Sequence, residues 1–281
     1  MSPRTYLFVP GNRPERYAKA LASGADAVVL DLEDAVAADA KAAARDAIAD
    51  WATTASVAER QRVVLRINDA ESPWFADDLR LLAGTGLTQA MLAKAEAAAA
   101  VAAICAAAPG AQVLALIETA RGLHQADTVA ASPGVTRLVF GTLDFALDLD
   151  LDIAEQPDGL APAASRLVLA SRLAGLPAPV AGVTPQLDDE ARLLADLAWA
   201  RRFGFGAKLC IHPKQVAPIH TALAPGEQAL DWARRVLAAD AAQPGAARLD
   251  GRMVDRPVVL QAIRTLQRAG LQDGTLQRAG L

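Results

Sequence analysis

Eight short apolar runs, each followed by an Ala- and Leu-rich stretch with charges at helical spacing, constrain the fold of this chain more than any other feature. They are TYLFVP (5–10), AVVLDL (27–32), RVVLRIN (62–68), AMLAK (90–94), QVLALIE (112–118), RLVFGT (137–142), PVAGVT (179–184) and AKLCIH (207–212), with starts 22 to 42 residues apart. Each run is too short and too rich in Val, Leu and Ile for a surface helix. Continuous rather than alternating hydrophobicity implies burial on both faces, as in parallel strands covered by crossover helices. Eight βα units in about 220 residues fit an α/β fold of the (β/α)8 barrel type better than an open doubly wound sheet. No GxGxxG follows the first run, which removes the main support for a dinucleotide fold.

Local punctuation agrees with the alternation. Asn12 precedes Arg13-Pro14 and Gly24 closes the segment, as a cap, an N-terminal proline and a C-terminal glycine should. Asp188, Asp189 and Glu190 place negative charge in the first turn of a later helix. Past residue 223 the alternation fails. We therefore read a barrel over 1–223 and a C-terminal extension over 224–281 of helix, loop or hairpin, and helix, expected to pack on a neighbouring subunit. TLQRAGL occurs at 265–271 and again at 275–281, a short duplicated tail.

Composition narrows the partners. A net charge of −4 gives no global field for nucleic acid. No run of about 18 strongly apolar residues is present, so no membrane span is expected. The start, MSPRTYLFVPGN, lacks the apolar core of a signal peptide, and a cytoplasmic location is expected. Cys105 and Cys210 have neither metal spacing nor a disulfide framework and read as small buried thiols.

The chemistry should stand at the C-terminal ends of the strands, where a barrel keeps its active site. In order these ends carry Gly11-Asn12, Glu33-Asp34, Arg66 and Asn68, Lys94 and Glu96, Glu118, Asp144, Thr184 and His212. Glu118 closes one buried run and Asp144 follows another. An acid at the tip of a buried strand gains nothing from packing, so water or a cation must satisfy it. Two such acids on different strands point to a hard ion held by oxygens, and magnesium needs only one or two carboxylates besides water and substrate. Arg66 would sit at the same mouth, able to grip a carboxylate or to pair with Glu33 or Asp34. The acids of DLEDAV (31–36) suit orienting Arg66 or Lys94 more than ligating metal. DLDLD (148–152) fails as a calcium loop, because Ile153 stands where glycine is needed and Gly159 where glutamate is needed. No P-loop, GxSxG or HExxH motif is present.

These stretches resemble a known family. LFVPGNRPERYAKALASGADAVVLDLEDAV (7–36), VLRIN (64–68), ALIETARGL (115–123), FGTLDF (140–145), GFGAKLCIHPKQV (204–216) and LDGRMVDRP (249–257) are similar, in order and spacing, to the HpcH/HpaI aldolase and citrate lyase β-subunit family across about 4–265. The resemblance implies a (β/α)8 barrel and a magnesium-dependent carbon–carbon lyase acting on acyl-CoA thioesters of the malyl, citramalyl or citryl type. By position it makes Glu118 and Asp144 the metal ligands and Arg66 the group that binds a 2-oxo-acid carboxylate, with the amides of Thr142 and Leu143 on the same carboxylate. It places Asp255 in a neighbouring subunit's site within a homotrimer, and offers Asn12, Arg13 and Lys19 for CoA phosphates. Lys94 keeps its place in LAKAE (92–96), although the usual proline is Ala93; Leu143 replaces a frequent acid, and Asp148-Leu149-Asp150 a usual Asp-Leu-Gly.

The expected reaction is retro-Claisen or retro-aldol cleavage through an enolate, with Arg66 fixing the carboxylate and Asp255, Glu33 and Asp34 as the acids around it. Three rivals stand beside it: a CoA-independent aldolase releasing pyruvate from a 2-oxo acid, a β subunit dependent on an acyl carrier partner, and a non-catalytic scaffold.

Overall fold

Residues 2–243, 245 and 247–271 are described by a computed structural model of the chain. The eight apolar runs become strands β1 (Thr5–Pro10), β2 (Ala27–Asp31), β3 (Val63–Ile67), β4 (Gln89–Leu92), β5 (Gln112–Ile117), β6 (Val135–Phe140), β7 (Val180–Ala181) and β8 (Ala207–Cys210). They pair in parallel and in sequence order, and β8 returns to β1, closing the (β/α)8 barrel. Every residue of β2 and β3 is buried, as their unbroken hydrophobicity requires.

β7 is the exception in length, two residues where the sequence pattern suggested six. Pro179 and Pro185 bracket the run and have no N–H to give a ladder. Side chains take over instead: the Lys208 ammonium donates to the Gly182 carbonyl at 2.8 Å, and the Gln215 amide to the Thr184 carbonyl at 2.9 Å.

Alternate residues of each strand fill the barrel. Tyr6, Ala27, Val29, Val64, Met91, Leu114, Leu116, Val139, Val180, Ala207 and Leu209 form one buried cluster. With a side-chain period of two, the next inward positions toward the C-terminal ends of β2, β3 and β5 are Asp31, Arg66 and Glu118. The barrel core thus turns from apolar to charged within a single step along the strands.

The chain divides into two units, Met1–His220 and Thr221–Leu281. Within the second, the helix Glu227–Ala242 and the helix Arg256–Arg268 enclose a core of Ala233, Val236, Ala262 and Leu266 with the antiparallel pair β9 (Ala247–Leu249) and β10 (Arg252–Val254). Loop or hairpin resolves as a hairpin: Asp250 and Gly251, with φ of 50° and 77°, form the tight two-residue turn that Asp-Gly favours. The second TLQRAGL copy lies outside the described residues.

Candidate active site at the barrel mouth

A pocket at the C-terminal ends of the strands is lined by Asp31, Asp34, Arg66, Glu118, Thr142, Leu143 and Asp144, with Phe8, Leu116 and Leu209 beneath. It holds about 810 Å³ of space, its open side included. The sequence-derived candidates Arg66, Glu118, Asp144, Thr142, Leu143 and Asp34 are therefore brought together.

Arg66 is held by two acids. Strand register sets Asp31 directly opposite Arg66, and its carboxylate accepts from Nε and a terminal nitrogen, both at 2.6 Å. Glu33 takes the other terminal nitrogen at 2.8 Å, and the guanidinium lies over the Phe8 ring, 4.9 Å from its centre. Asp31 thus takes two N–H groups by hydrogen bond and Glu33 adds an ion pair, so the guanidinium is held in place at the pocket wall. Burial works against the Arg66 charge, but the charge and hydrogen bonds of Asp31, with Glu33, raise its pKa further and fix it as a cation.

Glu33 is buried and bridges Arg66 to Lys94, whose ammonium lies 2.8 Å away. Burial favours the neutral acid here, yet the Arg66 charge and the Lys94 hydrogen bond prevail and hold Glu33 below the usual carboxylate range. Behind it Lys41 is buried, donating to the carbonyls of Leu32 and Glu33 and to Asn68, itself hydrogen-bonded to buried Asp78. Asp34 faces the pocket, and burial together with the Glu33 charge pushes its carboxyl up to about 6.

Glu118 is treated differently. It is 2% exposed and its Oε1 accepts one hydrogen bond, from the Lys94 amide at 2.9 Å. Lys94 adopts φ of +44°, an unusual conformation for lysine, which lets its amide meet Glu118 while its ammonium meets Glu33. Burial, and then the negative charge of Asp144, push Glu118 up to about 8 against that one hydrogen bond. Gly141 explains how close the two acids' supports come. A Cβ there would lie 2.4 Å from the Glu118 Oε2, so only glycine lets the chain turn into the helix Thr142–Asp148 that carries Asp144. Thr142 and Leu143 occupy that helix's first turn, where amides have no partner within the helix.

The remaining candidates lie outside the pocket lining. Asn12 is exposed, Arg13 pairs with Glu15 at 2.6 Å, and Lys19 is exposed in the helix Tyr17–Leu21. Glu96 accepts from Thr119, Thr184 donates to Asp196, and His212 accepts from the Lys214 amide as a cap. Asp255, in the second unit, caps the helix Arg256–Arg268 by accepting from the Val258 amide at 3.2 Å. Asp31 stands among the acids that the sequence reading assigns to orienting Arg66, and it does so. The support that sequence reasoning missed is Lys41, which gave no signal because it sits in a helix of ordinary surface composition.

No group of three or more His, Cys, Asp or Glu side chains suited to a metal occurs among the described residues. Glu118 and Asp144 are only two. That number suits magnesium, which completes its shell with water and substrate oxygens. A buried carboxyl with one hydrogen bond and an acid for a neighbour is also what a cation relieves.

The HpcH/HpaI aldolase/citrate lyase model matches residues 4–213. The chain belongs to that family. A citrate lyase subunit beta-like protein of Mycobacterium tuberculosis is 40% identical over 270 residues, 94% of this chain and 95% of the relative. A (3S)-malyl-CoA thioesterase of Cereibacter sphaeroides is 33% identical over 270 residues, 95% of this chain and 94% of that protein. The crystal structure of CitE from M. tuberculosis in complex with magnesium, acetoacetate and coenzyme A superposes with a TM-score of 0.85 at 39% identity, covering 96% of this chain and 98% of that one. The family assignment rests on the barrel unit and on sequence similarity through nearly the whole chain. Among the described residues no helix is long and apolar enough to cross a membrane.

Proposed function

We propose that this member of the family is a magnesium-dependent carbon–carbon lyase that cleaves, or forms, a 3-hydroxyacyl-CoA of the malyl, citramalyl or citryl type. The observation that carries the reading is Glu118: a buried acid, pushed up to about 8, in one pocket with Asp144 and a pre-clamped Arg66. Glu118 and Asp144 would hold the ion, which when bound supplies Lewis-acid polarisation of the substrate's hydroxyl and incipient carbonyl. CitE of M. tuberculosis has been crystallised with magnesium and pyruvate, and with magnesium, acetoacetate and coenzyme A, which supports both the metal and the substrate class.

The chain's own groups do the rest. Asp31 and Glu33 hold Arg66 at the pocket, where its guanidinium would take the 2-oxo-acid carboxylate, so orientation is fixed before substrate arrives. The first-turn amides of Thr142 and Leu143 would meet the same carboxylate. Asp34, with its raised pKa, would move the hydroxyl proton. In our proposal Asp255 from another copy in a homotrimer handles the enolate proton, and Asn12, Arg13 and Lys19 receive CoA phosphates.

Hydrolysis of the thioester is the second reading, favoured by the malyl-CoA thioesterase relatives. One assay separates them: malyl-CoA and citramalyl-CoA are incubated with magnesium, and 2-oxo acid and free thiol are followed together. A lyase yields 2-oxo acid without thiol. Free thiol without 2-oxo acid makes the protein a hydrolase, and turnover unaffected by a chelator removes the metal from the account.

A further inference from the structure

A second cleft lies beside the mouth, outside the barrel wall, between β6 to β8 and the helix Glu190–Phe203. It holds about 730 Å³ of space, its open side included, and shares Thr142, Leu143 and Val183 with the mouth pocket. Its wall is largely apolar, from Phe140, Ile153, Leu160, Trp199 and Phe205. The mechanism above uses none of these five side chains.

We infer that this cleft receives an unbranched alkyl chain carried by the 2-oxo-acid half of the substrate, with Leu143 as the specificity-determining residue between the two pockets. The inference rests on the lyase reading, which sets the 2-oxo-acid carboxylate against the Thr142 and Leu143 amides. A substituent on the adjacent carbon then starts at the shared rim. Leu143 is 42% exposed, and its side chain lines both pockets. An acid there would put a charge across the apolar passage; leucine leaves it continuous with Val183.

Two features keep the cleft formed. The Lys208 ammonium, 2% exposed on its wall, holds the Gly182 carbonyl at 2.8 Å. Gly182 lies so close to Thr142 that a Cβ would fall 2.3 Å from the Thr142 hydroxyl, so only glycine lets these two walls of the cleft meet. Arg192 donates to the carbonyls of Ala154 and Ile153, at 2.6 and 3.3 Å, and ties the outer loop to the helix. Ile153 and Ala154 line the cleft, so that tie forms its outer edge.

The test is calorimetric titration of the full chain, with magnesium present, by pyruvate, 2-oxobutyrate, 2-oxopentanoate and 2-oxohexanoate. Binding should tighten about fourfold with each methylene buried. Ile153→Trp, which fills the cleft from its loop, should bind pyruvate as the parent does and lose the gain along the series. Leu143→Glu should flatten the series too. A parent series that is flat or weakens with length overturns the inference while leaving the lyase reading intact, as does a gain that survives Ile153→Trp. Failure of pyruvate itself to bind with magnesium overturns both.

Discussion

The two ends of the barrel bury charge in opposite ways. At the N-terminal end Arg137 donates to the carbonyls of Ala178 and Pro3, at 2.8 and 2.6 Å, and to the Tyr6 hydroxyl at 3.2 Å. Beside it Asp26 accepts from the Arg4 and Thr5 amides, and the Thr5 hydroxyl meets His220 at 3.1 Å. Every one of these groups has neutral or opposite partners, and burial there is compatible with stability. At the C-terminal end the acids Asp31, Glu33, Glu118 and Asp144 gather around Arg66 and Lys94, and among the described residues Glu118 has one hydrogen bond, from the Lys94 amide. One end is satisfied by the protein alone. The other carries an anionic surplus that suits a ligand cation, which is how a site differs from a strut made of the same residue types.

Substitutions can break that contrast at either end. Glu118→Ala or Asp144→Ala should lower turnover by about a thousandfold or more, since several kcal/mol of metal stabilisation is lost, with the circular-dichroism spectrum unchanged. Near-normal turnover in either would remove the ligand assignment. Arg66→Met strands Asp31 and Glu33 as buried charges and should cost about 3–5 kcal/mol in urea unfolding, besides weakening 2-oxo-acid binding. Arg66→Lys keeps the charge without the fork and should raise KM more than it lowers stability.

At the other end Arg137→Met should cost about 1–3 kcal/mol, for the carbonyls left unpaired, and leave KM of the folded protein unchanged. A catalytic defect there would blur the contrast. A further effect is in pH. Glu118 keeps its proton in the folded chain up to about 8, whereas an ordinary carboxyl loses it near 4.5. Between those values the folded state binds more protons than the unfolded one, so metal-free stability should fall as pH rises through the window. Glu118→Gln should remove that slope, worth on the order of ten degrees in Tm across the window, and magnesium should reduce it in the parent. A slope equal in parent and variant would contradict the buried-acid account.

Much of this was legible in the sequence because strands buried on both faces spell themselves out as apolar runs. β1 begins and ends where its run does, and β2, β5 and β8 differ from theirs by one or two residues at one end. The run 179–184 misled, since its length came from residues whose carbonyls are satisfied by Lys208 and Gln215 rather than by a neighbouring strand. Glu118, Asp144 and Arg66 were visible as polar stops on apolar runs. Asp31 was assigned an orienting role within a cluster of acids, but its direct pairing with Arg66 needed strand register, a relation between two segments that neither carries alone. Lys41 and the outer cleft depend on packing across elements and leave no local trace.

The central claim is tested most directly by crystals soaked with manganese and pyruvate, with data collected at the manganese absorption edge. An anomalous peak about 2.2 Å from a carboxylate oxygen of both Glu118 and Asp144, with pyruvate between the ion and Arg66, is the predicted result. A peak elsewhere, or none at these two acids while pyruvate is bound, would contradict it.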